Sequence, residues 1–140
     1  MGIFSIDGKE YNVTVPAGGI QRSFSVLDTD KSGRSQSGDM IRDIIGTYYN
    51  YSIEINTKAL KYDEYDKLYK VISAPDDFHM LTVPYGQGTL TFKAYITSGS
   101  DTFDVKQKNG KIRWKGLKLN FIAMSPQWRK GDKLVNINSL

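Results

Sequence analysis

The chain has 140 residues, 39% of them hydrophobic, with 19 basic and 15 acidic side chains, a single His and no Cys. That length suits one domain able to bury a core of its own, while the lack of Cys excludes disulfides, thiolate metal sites and a cysteine nucleophile. The formal net charge of +4 is mild, and the basic residues run from Lys9 to Lys133, unlike the concentrated stripe of a nucleic-acid binder. No apolar run reaches the roughly 20 residues needed to cross a bilayer. The opening MGIFSIDGKEY lacks the charged-then-apolar layout of a signal peptide, so a soluble protein not exported by that route is expected. Met1-Gly2 invites comparison with lipidation signals, but Ile3 onward reads as a strand.

Residues 3–6 and 10–15 flank Asp7-Gly8, a pair suited to the positive φ angles of a tight hairpin turn. Tyr11, Val13 and Val15 alternate with Asn12 and Thr14. After Pro16-Ala17-Gly18-Gly19 a second strand is expected over 20–27, with Ile20, Arg22, Phe24 and Val26 on one side. The stretch 28–39, DTDKSGRSQSGD, has no large apolar side chain and reads as an extended surface loop. Residues 40–45 fit a helical turn or an irregular strand. Residues 48–56 alternate strictly, with Tyr49, Tyr51, Ile53 and Ile55 on one side and Asn50, Ser52, Glu54 and Asn56 on the other.

The one substantial helix is expected over 62–73, where Tyr65, Leu68, Tyr69 and Ile72 share a face and Ala74-Pro75 stops the run. At about 1.5 Å per residue such a helix is about 18 Å long and needs a surface to lie on. Strands follow at 78–84 and 89–97, the second with Leu90, Phe92, Ala94 and Ile96 inward, and 85–88 is the turn between them. A turn at 98–101 leads to a strand at 103–106, and Asn109-Gly110 turns the chain into 111–115. Leu117, Leu119, Phe121 and Ala123 then alternate with Lys118, Asn120 and Ile122, and Ser125-Pro126 ends the strand. The sum is about eight short strands and one helix, an α+β, mainly antiparallel design: a β-sandwich or partly open barrel with a flanking helix over 1–126. Residues 127–140, with a weak Leu134, Val135, Ile137 pattern, read as a C-terminal arm or edge strand.

Asp28, Asp30, Ser32 and Asp39, with Gly33 at the sixth position, fill the oxygen-ligand slots of a calcium loop. The match is incomplete: Asp39 stands where a bidentate Glu is usual, Ser35 replaces an apolar residue, and a strand precedes the loop. His79 lies in a strand with no nucleophile motif or second ligand, and Asp76-Asp77 most simply open a turn after Pro75, so no enzyme activity and no cofactor are expected. Lys106, Lys108, Lys111, Arg113, Lys115 and Lys118 surround Trp114; the simpler reading is a solvated hairpin whose lysines protect an exposed edge. Tyr48, Tyr49, Tyr51, Tyr62, Tyr65 and Tyr69 load one strand and the helix with amphipathic rings, and adjacent Tyr48 and Tyr49 point to opposite faces, one of them suited to an interface.

The order of these elements resembles that of small structural tail proteins of phages and prophages of Gram-positive bacteria. The likeness is carried by 24–51 (FSVLDTDKSGRSQSGDMIRDIIGTYYNY), by VPYG at 83–86 and by WKGLKLNFIAMSP at 114–126. The resemblance implies a tail-tube, distal-tail or baseplate-hub subunit located in the virion tail and made in the host bacterial cytoplasm. Its copies would join sheet edges into a homo-oligomeric ring, contact other tail proteins and pass DNA through a polar lumen without sequence-specific contacts or a membrane. Polarity and pattern then pick interface candidates: Asp30, Lys31, Ser32, Arg34 and Gln36 of the loop, Tyr48 and Asn50 of the Tyr-rich strand, Lys111 and Arg113 of the last hairpin, and Trp128 of the tail. The 28–39 loop would be an arm that orders on assembly. The alternatives are a carbohydrate- or protein-binding β-sandwich module and a calcium-binding loop protein.

Overall fold

The computed structural model describes residues 4–11, 13–56, 60–131 and, as backbone, 137–138. The expectations placed on Met1-Gly2, Ile3, Asn12, Leu134 and Val135 lie outside the described residues. β1 (Ser5–Ile6) and β2 (Lys9–Glu10) form a hairpin whose turn residues Asp7 and Gly8 both have positive φ, 53° and 82°. Against expectation the second strand stops at Glu10. Tyr11 and Val13 drop into the core instead, and Thr14 makes a single bridge to Asn56.

β3 (Ile20–Asp28) and β6 (Ile44–Ile55) form one long antiparallel hairpin, with Ile20 opposite Ile53, Phe24 opposite Tyr49 and Val26 opposite Thr47. Its tip carries β4 (Gly33–Arg34) paired with β5 (Met40–Ile41), so the polar 28–39 excursion is itself a small hairpin and not a bare loop. Residues 40–45 are strand, with a break at Arg42-Asp43.

The helix α1 (Tyr62–Ser73) has Asp63 and Glu64 in its first turn and Lys70 in its last, the order that complements the helix dipole. No side chain caps its start, and extended Ala74 ends it before Pro75. Tyr65, Leu68 and Ile72 are buried as the spacing predicts, but Tyr69 is 37% exposed and lies beside Tyr65, ring centroids 6.5 Å apart.

β7 (His79–Tyr85) and β8 (Gly88–Tyr95) make a tight hairpin. β9 (Gly99–Lys106) begins where a turn was expected. Gly99 has no side chain to collide with Leu119, whose Cδ2 lies 2.7 Å from the place a Cβ would take. The two strands expected over 111–123 are one, β10 (Ile112–Ala123), with a register shift around Gly116. β11 (Trp128–Arg129) pairs with β6, and β12 (Ile137–Asn138) pairs with β8.

Together these strands form a ten-stranded antiparallel sheet with the path β11-β6-β10-β8-β7-β1-β2, with β3 on β6, β9 on β10 and β12 on β8, open and not closed into a barrel. The fold is the expected α+β sandwich. The sheet turns over on itself at β10, where Leu117–Phe121 pair with β6 and Ile122 and Ala123 pair with β8. One half, β3-β6-β10-β9, contributes Ile53, Ile55, Leu117, Leu119 and Phe121 to the core. The other half contributes Phe4, Ile6, Leu81, Val83, Leu90 and Phe92, and α1 adds Tyr65, Leu68 and Ile72. Each large side chain buried here contributes about 1.5–3 kcal/mol by leaving water. The helix is tied to β9 by the Tyr65 hydroxyl, which donates to Asp101 Oδ2 at 2.6 Å, and to the turn after β9 by a Tyr62–Gln107 hydrogen bond. Burial, then the Asp101 carboxylate, pushes the Tyr65 phenol well above its ordinary pKa, so it stays a donor.

Candidate assembly surface

The half-sheet β3-β6-β10-β9 carries its apolar residues on one face, and the register fixes what stands on the other. Gln21, Ser52 and Asn120 form one rung; Ser23 and Asn50 the next; Glu54, Lys118 and Ser100 another. This outer face is a field of amides and hydroxyls with few charges. On it Gln21, Ser23, Ser52, Ser100 and Lys118 are exposed, and Asn50, Glu54 and Asn120 are half-buried.

Both margins of this half-sheet are long strands with one partner each. Among the described residues β3 pairs only with β6 and β9 only with β10. An edge of nine residues and one of eight therefore present unpaired backbone N–H and C=O groups, the surface to which another strand adds most readily. Because every neighbour in the order β3-β6-β10-β9 is antiparallel, the two edge strands run in opposite directions.

Inside the sheet, side-chain amides bridge the places where β6 lacks a partner. Gln127 is buried, accepts the Tyr49 N–H on Oε1 at 2.9 Å and donates Nε2–H to the Tyr49 carbonyl at 2.9 Å, filling the gap between β10 and β11. Asn50 Oδ1 accepts the Ala123 N–H at 3.0 Å where β10 turns away toward β8. Asn120 Oδ1 accepts from the Thr97 and Ser98 amides, each at 3.2 Å, and holds the β8–β9 crossover. Gly46 lets β11 approach, since a Cβ there would lie 2.5 Å from the Trp128 carbonyl oxygen.

Toward the tip of the β3–β6 hairpin the inner face runs past the sandwich. Tyr85 closes its mouth: the ring packs edge-on against Tyr49 at 5.2 Å, Arg22 lies over it at 5.2 Å, and its hydroxyl donates to that of Tyr49. Burial and the bond from Tyr85 push the Tyr49 phenol up to about 12. Beyond Tyr85, Phe24 (70% exposed), Val26 and Trp128 line an open groove of about 510 Å³.

The predicted interface residues do not form one patch. Asp30, Lys31, Ser32, Arg34 and Gln36 sit on the β4–β5 tip, with Trp128 on the same arm; Lys111 and Arg113 belong to the β9–β10 hairpin at the opposite end of the half-sheet. Tyr48 is half-buried against the core margin, and Asn50 is spent on the Ala123 N–H. The tip is preformed: Arg42 grips Asp28 through two bonds of 2.6 and 2.9 Å, Ser32 Oγ accepts the Asp43 N–H at 2.6 Å, and the Thr29 hydroxyl donates to Asp43 Oδ2 at 2.6 Å. The Arg42 guanidinium holds Asp28 below the usual carboxylate range. The calcium-loop set is likewise not gathered: Asp28 serves Arg42, Asp39 Oδ2 accepts from Ser37, and among the described residues no group of three or more acidic or His side chains is placed to hold a metal.

His79 is buried, with Nδ1 2.8 Å from Asp7 Oδ2, while Asp7 Oδ1 accepts the Met80 N–H at 2.9 Å. The pair fastens the β1–β2 turn to β7. The residues that sequence reasoning missed are Gln127, which had no local signal in a polar tail, and Phe24 and Val26, whose alternation matched that of a core strand.

No protein-family model matches the chain, and comparison with curated proteins found no match.

Proposed function

We propose that the chain is a non-enzymatic structural subunit that assembles with copies of itself through its sheet edges, in a phage or phage-derived tail as tube, distal-tail or hub component. The observation that carries this reading is the half-sheet β3-β6-β10-β9, whose two edge strands have one partner each among the described residues and whose outer face is polar. An even number of antiparallel strands matters here. Rotation about an axis along the strands preserves strand direction, so β9 of one copy meets β3 of the next in the antiparallel sense, and the pattern continues around a ring without a break. Such a heterologous contact closes edges that would otherwise invite aggregation.

In a closed ring of this kind the polar outer face forms a continuous wall. Gln21, Ser23, Ser52 and Lys118 give it hydration without the dense positive charge that would hold nucleic acid fast, which suits passage of DNA. The β4–β5 tip and the β9–β10 tip then project toward the rings above and below, in contact with other tail proteins. Light scattering after gel filtration, followed by negative-stain microscopy, tests the reading: rings or short tubes are the expected result, and a monomer at every concentration overturns it.

A further inference from the structure

We propose that the tip of the β9–β10 hairpin is a docking surface for an acidic protein segment that carries apolar anchor residues. The chain as a whole has 19 basic and 15 acidic residues, and five of the basic ones against one acidic one stand between residues 102 and 116. The rest of the chain is balanced, so the entire formal excess of +4 belongs to this hairpin although lysines and arginines occur throughout. The only ion pair found for the five, among the described residues, is a loose one, Lys115 Nζ to Asp104 at 3.6 Å.

The hairpin also runs on past β6: β6 ends at Ile55, opposite Leu117, and, among the described residues, positions 112–115 pair with β9 alone, with Tyr62 of the helix bonded to Gln107 at the turn. The turn is closed by hydrogen bonds, the Gln107 N–H to the Lys111 carbonyl at 2.8 Å and the Lys111 N–H to Asn109 Oδ1 at 2.9 Å. On this preformed ladder Phe103, Val105, Ile112 and Trp114 are each at least 37% exposed. Phe103 and Trp114 face each other edge-on at 5.7 Å, Val105 stands opposite Arg113, and Ile112 stands opposite Lys106.

Near the turn each cross-strand pair therefore sets a cation beside an aliphatic side chain, Arg113 beside Val105 on the face that also carries Phe103 and Trp114, and Lys106 beside Ile112 on the other face. A uniformly charged polyanion answers the cations and leaves the aliphatic side chains in water, and nucleic acid offers no aliphatic surface to Val105 and Ile112. A protein segment mixing Asp or Glu with Leu, Ile or Phe satisfies both, in keeping with interfaces built on aromatic and Arg anchors with a charged rim. The surface uses side chains at the hairpin tip and not the backbone edges, so it goes beyond edge-to-edge assembly and operates in a monomer as well.

The test is fluorescence anisotropy of the full chain with four labelled probes: a short peptide mixing Glu with Leu and Phe, a polyglutamate of equal charge, a short single-stranded DNA, and phosphatidylserine vesicles. The mixed peptide should bind most tightly and weaken steadily with added salt. Lys108→Glu with Lys111→Glu, both at the exposed turn, should reduce its affinity by about tenfold or more. Val105→Ser should weaken the mixed peptide but leave the polyglutamate unchanged. No binding of the mixed peptide, tighter binding of DNA, vesicles or polyglutamate, or indifference to the charge reversal in a variant with an unchanged melting curve overturns the proposal. The salt titration needs no variant, and ring formation is scored separately without peptide, so the two readings fail independently.

Discussion

Two side chains show how single residues hold this molecule together across long sequence distances. Gln127 acts as a one-residue strand for Tyr49, 78 positions away. Replacing it with Ala leaves a part-buried N–H and C=O without their partner, and the expected loss is about 1–3 kcal/mol, read as a shift in the urea midpoint at unchanged slope. Asp7 fastens the first hairpin to His79. Burial by itself raises the Asp7 pKa, but the bonds from His79 and the Met80 amide outweigh it and hold the carboxyl below its ordinary value of 3.8. A carboxylate with a depressed folded-state pKa adds stability that is present above the unfolded value and lost as pH falls through the folded one. Wild type should therefore melt higher than Asp7→Asn near pH 6, and the gap should close on acidification below about pH 4. Asn tolerates the positive φ at this position, so the turn itself is kept. A gap that does not change with pH would show that the contact is steric and not ionic.

At the scale of elements, what was legible in the sequence was whatever repeats locally. The period of Tyr65, Leu68 and Ile72 set α1 within its observed bounds, and the alternation of Leu117, Leu119, Phe121 and Ala123 marked the inner face of β10. Alternation at Ile20, Arg22, Phe24 and Val26 located β3 but not its exposure, because burial depends on whether the second half of the sheet reaches that far, and it stops at Tyr85. The tip hairpin β4–β5 was missed because it is held by Asp28–Arg42, Thr29–Asp43 and Ser32–Asp43, polar pairs without a period. Free edges are invisible for the same reason, since pairing is a property of the partner. They make an element-level prediction nonetheless. Neighbouring residues of a strand send their N–H groups to opposite sides, so of Ser23→Pro and Phe24→Pro one removes an amide facing β6 and the other an amide facing outward. The inward change should lower the melting temperature markedly. The outward change should leave the monomer fold intact and abolish self-association, and retained self-association in both would remove the β3 edge from the interface.

Among the described residues the molecule is a sandwich in which one half-sheet ends in short strands and the other in long ones at both margins. β12, β2 and β11 are two-residue strands, whereas β3 and β9 are long and have one partner each among the described residues. Short edges are the usual protection against unwanted pairing, and the two long ones, antiparallel to each other, are the edges that the proposed self-assembly uses. The projecting tips lie at opposite ends of that half-sheet, one preformed by an Asp–Arg grip and the other carrying the excess positive charge of the chain. The mass in solution of the full chain, followed by light scattering over a wide range of concentration, addresses this directly. The account predicts a discrete high-order oligomer whose mass is a whole multiple of 15.8 kDa; a species that stays at 15.8 kDa throughout, with both long edges open to water, contradicts it.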